Sequence, residues 1–379
     1  MRVLMTTDTI GGVWTYAVEL ARALEAHGIC IALATMGAPL NREQRAQVAE
    51  LSNVSLFEST YKLEWMDEPW DDVARAGDWL LQIERTYRPH VVHLNGYAHA
   101  KLPFVAPVMS VAHSCVLSWW DAVKGEAAPV EWDRYRQEVG AGLRGAQMIV
   151  APSHAMLSSI QKHYGPLTTH TRVIYNARDP QHYDPTQEKA ELIFSAGRAW
   201  DEAKNTVALD RAAHRFPWRI GIAGDARHPN GNRTLGRNVT MLGRLSESEM
   251  SAWLASAAIY ALPARYEPFG LSILEAALSR CALVLGDIPS LREIWADAAV
   301  YVSPDDHAAL RRTLLRLVRR PHEREALAQR ALQRAQQYAP QKMADSYLSA
   351  YRALRNRAAH LARPSTRVTD VYFNEGLRA

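Results

Sequence analysis

The amino-acid sequence predicts an α/β protein of two successive domains, each a parallel sheet wrapped in helices. Three observations lead there. Short apolar runs alternate with stretches of helical period along most of the chain, the pattern of βαβ units. The alternation breaks once, near residue 176, in a polar run with two prolines, and then restarts. The 379 residues, 48% of them apolar, are too many for one ordinary core and enough for two.

The elements follow in order. Arg2 to Thr6 reads as a strand, and the turn Asp8 to Gly12 follows it. Val13 to His27 carries Val13, Ala17, Leu20, Ala21 and Leu24 at helical spacing, and Gly28 ends that helix. Cys30 to Ala34 returns as a strand. Val91 to Leu94, Val108 to Ala112 and Met148 to Ala151 are further strands, with helices over Trp132 to Arg144 and Ala155 to His163. The run from Tyr175 to Pro185 is the expected linker. Beyond it, strands are expected at Leu192–Ser195, Arg219–Ala223, Val239–Leu242, Ala258–Leu262 and Leu283–Leu285. From Asp306 the chain is Arg-rich and helical, and after Arg363 it reads as an extended tail. These breaks divide the chain into residues 1–176, residues 177–345, and a terminal segment 346–379 expected to pack back on the first domain.

Composition narrows the class. A net charge of +4 is too small to imply nucleic-acid binding. The charge is uneven: residues 1–176 hold 15 Lys/Arg against 18 Asp/Glu, so the first half is acidic. Cys30, Cys115 and Cys281 have no metal-ligand spacing and read as reduced thiols. No apolar run is long enough for a bilayer, and the N-terminus turns polar too early for a signal peptide. The expectation is a cytoplasmic protein, with at most peripheral contact at the inner membrane face.

Ligands of such sheets bind beyond the carboxyl ends of the strands, and the chemistry-bearing residues fall there. Residues 262–275 read LPARYEPFGLSILE. A strand ends near Leu262 and a helix starts near Gly270. The free N–H groups of Gly270, Leu271 and Ser272 would form an anion site suited to a diphosphate. Glu275 lies one turn on, where a carboxylate suits ribose hydroxyls rather than phosphate. Either Glu267 or Glu275 alone reads equally well as a surface or helix-start glutamate. Residues 194–205 read FSAGRAWDEAKN. Arg198 and Lys204 after Gly197 can converge on one diphosphate or remain solvated cations. Gly11-Gly12 precedes a helix, which suits a close backbone approach or a plain turn. His113 ends an apolar strand and taken alone reads as structural, as does His93. Asn95 and Gly96 end their strand on the side where an acceptor would lie.

Glu267 and Glu275, eight apart with Pro-Phe-Gly between them, resemble the E-x7-E motif of family 4 glycosyltransferases, retaining enzymes of the GT-B fold. The resemblance covers most of the chain. It implies two Rossmann-like domains facing each other across a cleft, with residues 1–176 on the acceptor side and 177–345 on the nucleotide-sugar side. It implies that Glu275 binds the donor ribose, that Glu267 faces the donor sugar and that Phe269 to Ser272 line the donor. It further implies that Arg198 and Lys204 hold the phosphates and that Gly11 and Gly12 lie across the cleft. His113 would contact the sugar or the reacting oxygen and, with Glu267, form the catalytic pair. Two positions depart from the family pattern: Asn205 stands where Gly usually follows the lysine, and Ala177 where Gly usually follows Asn176.

The expected activity is transfer from a UDP- or GDP-sugar to an acceptor the sequence does not name, in cell-surface polysaccharide or glycoconjugate synthesis. No cofactor is expected, and no metal, since no Asp-x-Asp occurs in the chain. The rivals are an epimerase or hydrolase on the same fold, a phosphorylase, and a non-catalytic nucleotide-sugar sensor. The Trp-rich segment 117–132 suits core packing, an acceptor loop or a membrane interface. The acidic first half argues against docking to an anionic bilayer.

Overall fold

The computed structural model describes residues 1–227 and 236–361. The extended tail expected after Arg363 lies outside them.

The first sheet is built from β1 (Arg2–Asp8), β2 (Cys30–Met36), β3 (Val54–Glu58), β4 (Val91–Leu94), β5 (Val108–Val111), β6 (Met148–Ala151) and β7 (His170–Val173). Its order is β3-β2-β1-β4-β5-β6-β7, with every pair parallel. The crossovers are α1 (Gly12–Glu25), α2 (Arg42–Ala49), α3 (Trp70–Tyr87), α4 (Val116–Lys124), α5 (Asp133–Gly145) and α6 (His154–Tyr164). The strand order reverses between β1 and β4, and a crevice opens at such a switch point.

The second sheet repeats the plan with β8 (Ala190–Ala196), β9 (Arg219–Ala223), β10 (Thr240–Gly243), β11 (Ala257–Leu262), β12 (Ala282–Gly286) and β13 (Val300–Val302), in the order β10-β9-β8-β11-β12-β13. Around it lie α7 (Thr206–Ala212), α8 (Glu247–Ser256), α9 (Leu271–Leu278), α10 (Pro289–Trp295), α11 (His307–Arg319) and α12 (Pro321–Ala335). Its switch point lies between β8 and β11, where the two motif loops emerge.

The last helix, α13 (Pro340–Leu361), lies against α1. Met343, Ala344, Tyr347, Tyr351 and Leu354 enter the same apolar cluster as Leu20, Leu24 and Val3 of the first sheet's layer. This explains why α1 is buried over so much of its circumference. Trp14, Tyr16, Ala17, Val18, Leu20, Ala21 and Leu24 cannot all face one sheet, and α13 covers what the sheet leaves. The opposite face of the sheet is covered by a cluster that includes Leu80 and Ile83 of α3, Val139 and Leu143 of α5 and Ile160 of α6.

Candidate active site in the interdomain cleft

At the end of β8 the chain turns through Gly197 into the loop that carries Arg198 and Lys204. Asp201 organises this loop. It accepts from the Arg198 guanidinium at 2.9 Å, from the Ala203 N–H at 3.0 Å and from Trp119 Nε1 of α4 at 3.0 Å. Burial would raise the Asp201 pKa, but Arg198, Lys204 and the hydrogen bonds from Trp119 and Ala203 together hold it below the usual carboxylate value. Asn205 has φ 55° and ψ 40°, the left-handed region that glycine enters freely and asparagine tolerates best among other residues. The replacement therefore keeps the turn. The Asn205 side chain adds anchors, donating to the carbonyls of Pro263 at 2.9 Å and Pro304 at 2.8 Å.

Residues 263–270 leave β11 and lead into α9. Gly270 has φ 90°, a conformation that favours glycine, and a Cβ there would also lie 2.6 Å from Ile273 Cδ1, whose side chain would have to shift. Ile273 and Leu274 donate back to the Gly270 carbonyl, while the N–H groups of the helix start have no intrahelical acceptor. Glu267 sits just before this start and meets Lys204 Nζ at 2.5 Å. The Phe269 side chain is 2% exposed and packs edge-on against Tyr338, 5.6 Å between ring centres, so only its backbone remains for a ligand. The Ser272 hydroxyl accepts from Tyr260 at 2.8 Å and points back toward the end of β8, again leaving the backbone. Leu271 crosses the cleft: its Cδ1 lies 3.6 Å from where a Cβ of Gly12 would be.

On the facing side, Asp8 ends β1 and accepts from the N–H groups of Ile10 at 3.1 Å and Gly11 at 3.0 Å, which shapes the glycine turn before α1. Burial raises the Asp8 pKa, opposed by these two N–H groups and by the charge of Arg198 across the cleft. His113 follows β5. Asn95 donates to the Thr6 carbonyl at 2.7 Å, so its Oδ1 faces His113 Nε2 at 2.8 Å. That orientation assigns the imidazole proton to Nε2 and leaves Nδ1 an acceptor. Burial pushes the His113 pKa down to about 3, with His93 adding to the shift, so the ring is neutral at physiological pH. His93 is fully buried, and its Nδ1 lies 2.7 Å from the Tyr351 hydroxyl of α13.

The linker supplies a residue that sequence reasoning passed over. Arg178 reaches Glu19 of α1 at 2.9 Å, Glu247 of α8 at 2.7 Å and Glu275 of α9 at 3.0 Å, and its own side chain is 6% exposed. Its Nε also donates to the Tyr183 hydroxyl at 2.9 Å. Burial works against the arginine's charge, yet the carboxylates hold its pKa above the ordinary value. Burial raises the pKa of both Glu275 and Glu19, with Arg178 opposing in each case. A cavity of about 240 Å³ opens beside this cluster, lined among others by Gly11, Trp14, Arg178, Arg244, Glu247 and Glu275.

The structure thus brings Lys204 and Glu267 into contact, places Glu275 on the cavity, and sets Gly11, Gly12 and His113 on the opposite face. The Trp-rich segment becomes α4 and its neighbours. Trp119 bridges the domains through Asp201, Lys124 bridges them through Glu202 at 2.7 Å, and Trp132 packs on Tyr135. Other ties cross the cleft as well. Ser153 donates to the Pro268 carbonyl at 2.8 Å, and Glu293 accepts the N–H groups of His154 and Ala155 at the start of α6. Among the described residues, no group of His, Cys, Asp and Glu is placed to hold a metal ion. No described helix is long and apolar enough to cross a membrane.

The chain matches the profile Glycosyltransferase Family 4 over residues 10–182 and Glycosyl transferases group 1 over residues 184–334. A glycogen synthase of Mycobacterium tuberculosis is 28% identical over 289 residues, 69% of this chain and 68% of that protein. The O-antigen chain mannosyltransferase RfbU of Salmonella typhimurium is 25% identical over 169 residues, covering 42% of this chain and 47% of that one. Among solved structures, a sucrose-phosphate synthase from Thermosynechococcus elongatus superposes with a TM-score of 0.79 at 16% identity, over 94% of this chain and 100% of that one. Anabaena HepE, solved with UDP and glucose, superposes with a TM-score of 0.73 at 14% identity, over 93% and 100% of the two chains. Two parallel sheets facing across a cleft, the E-x7-E loop at the second switch point and profiles that together run from residue 10 to residue 334 agree, and the chain belongs to the family 4 glycosyltransferases of the GT-B fold.

Proposed function

We propose that this glycosyltransferase moves a sugar from a UDP- or GDP-sugar to an acceptor hydroxyl in polysaccharide or glycoconjugate synthesis, with retention and without a divalent metal. One observation carries the donor assignment: Lys204 meets Glu267 at 2.5 Å beside the free N–H groups of the α9 start, with Glu275 one turn on. Diphosphate oxygens entering there compete for Lys204. Their gain frees Glu267 to accept from sugar hydroxyls. Arg198, held by Asp201, adds the second cation. The nucleotide and glucose in the HepE structure, and the polymer-forming relatives, support the donor and pathway class.

Charge grows on the leaving diphosphate as the glycosidic C–O bond breaks. Arg198, Lys204 and the helix start stabilise that charge, the work a metal ion does elsewhere. The departing phosphate oxygen takes the acceptor's proton as the acceptor oxygen bonds to the same face of the sugar. Neutral His113, with Nδ1 free to accept, is assigned to the donor sugar on the acceptor-side domain, residues 1–176. Residues 177–345 are assigned to the donor.

Calorimetry of nucleoside diphosphate binding tests this reading. Glu275→Ala and Lys204→Ala should each weaken it by about 1.5–3 kcal/mol, the worth of a charge-assisted contact. Unchanged affinity in both would refute the donor site. Turnover should persist in EDTA; a rate that collapses and returns with Mg²⁺ would refute the metal-free reading. Product analysis with and without acceptor separates transfer from hydrolysis or epimerisation.

A further inference from the structure

Arg178 is the centre of a cluster with more negative than positive charge. One guanidinium faces Glu19, Glu247 and Glu275 within 3.0 Å, all at the seam between the two domains and the linker. Glu19 is 1% exposed and Glu275 11% exposed at their side chains. A carboxylate so placed keeps its charge only if a partner compensates for the lost water. Glu275 has two such partners, both from the linker: Arg178 Nε, and the Tyr183 hydroxyl, which accepts from that same Nε and donates to Glu275. The fork geometry matters as well as the charge. Arg178 Nη1 and Nη2 donate to Glu19 and Glu247, Nε donates to the Tyr183 hydroxyl, and Glu275 Oε1 lies 3.0 Å from Nε as its ion-pair partner, so the guanidinium plane is fixed from three sides. Glu275 meanwhile lines the cavity beside Gly11 and Arg244.

We infer that Arg178 is a positioning residue for the donor's ribose: with Tyr183 it fixes the Glu275 carboxylate as a charged, oriented acceptor for the two adjacent hydroxyls of a nucleoside diphosphate. The inference rests on the donor-site reading of Glu275. Arg178 itself need not touch the nucleotide. Its position in the linker means that the ribose acceptor is in register only when α1, α8 and α9 are assembled around it. The groups facing Glu275 are Arg178 and Tyr183 from the linker, Glu247 from α8, Glu19 from α1 and Tyr260 from β11, with His182 acting on the two outer glutamates. Arg22 of α1 also acts on Glu19, and Arg22 and Arg244 line the same cavity, but Arg178 is the cation within 3.0 Å of all three carboxylates. Without it, proton uptake is the remaining way to relieve the carboxylate cluster, and a protonated Glu275 has lost its charge-assisted acceptor.

The experiment is calorimetric titration of UDP and of GDP from pH 6.5 to pH 9 against the wild-type chain and Arg178→Gln, Tyr183→Phe and Glu275→Ala, each checked by circular dichroism. In the wild type, affinity for the diphosphate it accepts should stay level over this range. Arg178→Gln should bind about tenfold more weakly at pH 6.5, the equivalent of one unit of carboxylate pKa, and recover most of that by pH 9. Tyr183→Phe should shift the same way by less, and it decides the matter if Arg178→Gln does not fold. If Glu275→Ala binds poorly while both linker variants bind like the wild type at every pH, the positioning role is wrong. A weakening of Arg178→Gln that does not change with pH also overturns it, since that marks simple loss of a positive field. If Glu275→Ala binds like the wild type, the donor-site reading fails instead.

Discussion

Glu267 and His113 approach the cleft from opposite domains, and neither belongs to the cluster around Arg178. Their removal should therefore cost transition-state stabilisation more than nucleotide binding. Glu267→Ala and His113→Ala are expected to lose kcat by about 10²-fold or more, with the nucleoside diphosphate affinity within a few-fold of wild type. Equal loss of both quantities would displace the catalytic centre from this pair. The two buried histidines carry a second consequence. The native pKa of His93 and His113 is about 3, well below the ordinary 6.5, because burial disfavours the charged ring. Between those values the unfolded chain binds protons that the native chain does not. Stability present above pH 6.5 is thus lost on acidification, by about 1.4 kcal/mol per pH unit for each ring. In urea denaturation between pH 4 and pH 6.5, His93→Gln should show a shallower slope than wild type by about one proton. An unchanged slope would mean the ring is charged in the native state. At this scale the sequence was legible where a residue's placement depends on its neighbours in the chain. The eight-residue spacing of the glutamates and the glycine before α9 are local patterns with local causes. Arg178 was not legible, because its three partners lie on three other elements and its own surroundings read as a polar linker. The converse holds for Phe269, which stands inside the motif while its side chain belongs to the core.

The strands that both sheets bury on two faces were visible as continuous apolar runs, and β4, β5, β6, β11 and β12 fall where the runs predict. The edge strands β3 and β7 were missed because one side of each is unpaired and their sequences, Val54–Glu58 and His170–Val173, are correspondingly mixed. The helix α2 was missed as well; it is short, polar and held by a capping box at Asn41 and Gln44. The element with the largest effect on its surroundings is α13. It seals α1 with two fully buried tyrosines, and Tyr351 also satisfies His93 Nδ1. Tyr351→Phe keeps the ring and removes only the hydroxyl, leaving a buried ring nitrogen without its partner. The expected loss is about 1–3 kcal/mol in urea denaturation. A change below the error of that measurement would show that the hydroxyl does not bond the imidazole.

Over the whole molecule, the two domains are tied by contacts of unequal depth, which makes their importance separable. Lys124 and Glu202 are 32% and 61% exposed at their side chains, and such a pair contributes less than about 1 kcal/mol. Asp201 is 4% exposed, and the indole of Trp119 donates to it while it orients Arg198. Lys124→Ala should leave nucleoside diphosphate affinity within about threefold of wild type, less than that pair's upper limit of roughly 1 kcal/mol. Trp119→Phe should lower it by about tenfold or more, since a buried carboxylate loses a donor. The reverse order would make the surface pair the tie that matters. Bound diphosphate should in turn raise the melting temperature of the wild-type chain, by linkage, and should not do so for Glu275→Ala at the same concentration.

The partnership of α1 and α13 also sets a timetable. The chain between Glu25 and Pro340 separates two helices that share one apolar layer. At ordinary rates of protein synthesis, on the order of 5–20 residues per second, the first helix waits tens of seconds for the second to be made. Through that interval the face of Leu20, Leu24 and Tyr16 has its sheet but not its lid. That face therefore gains its full cover only after the second half is translated. The nascent chain presents a sticky surface to any holdase near the ribosome exit, and a truncated chain that stops before residue 340 never hides it.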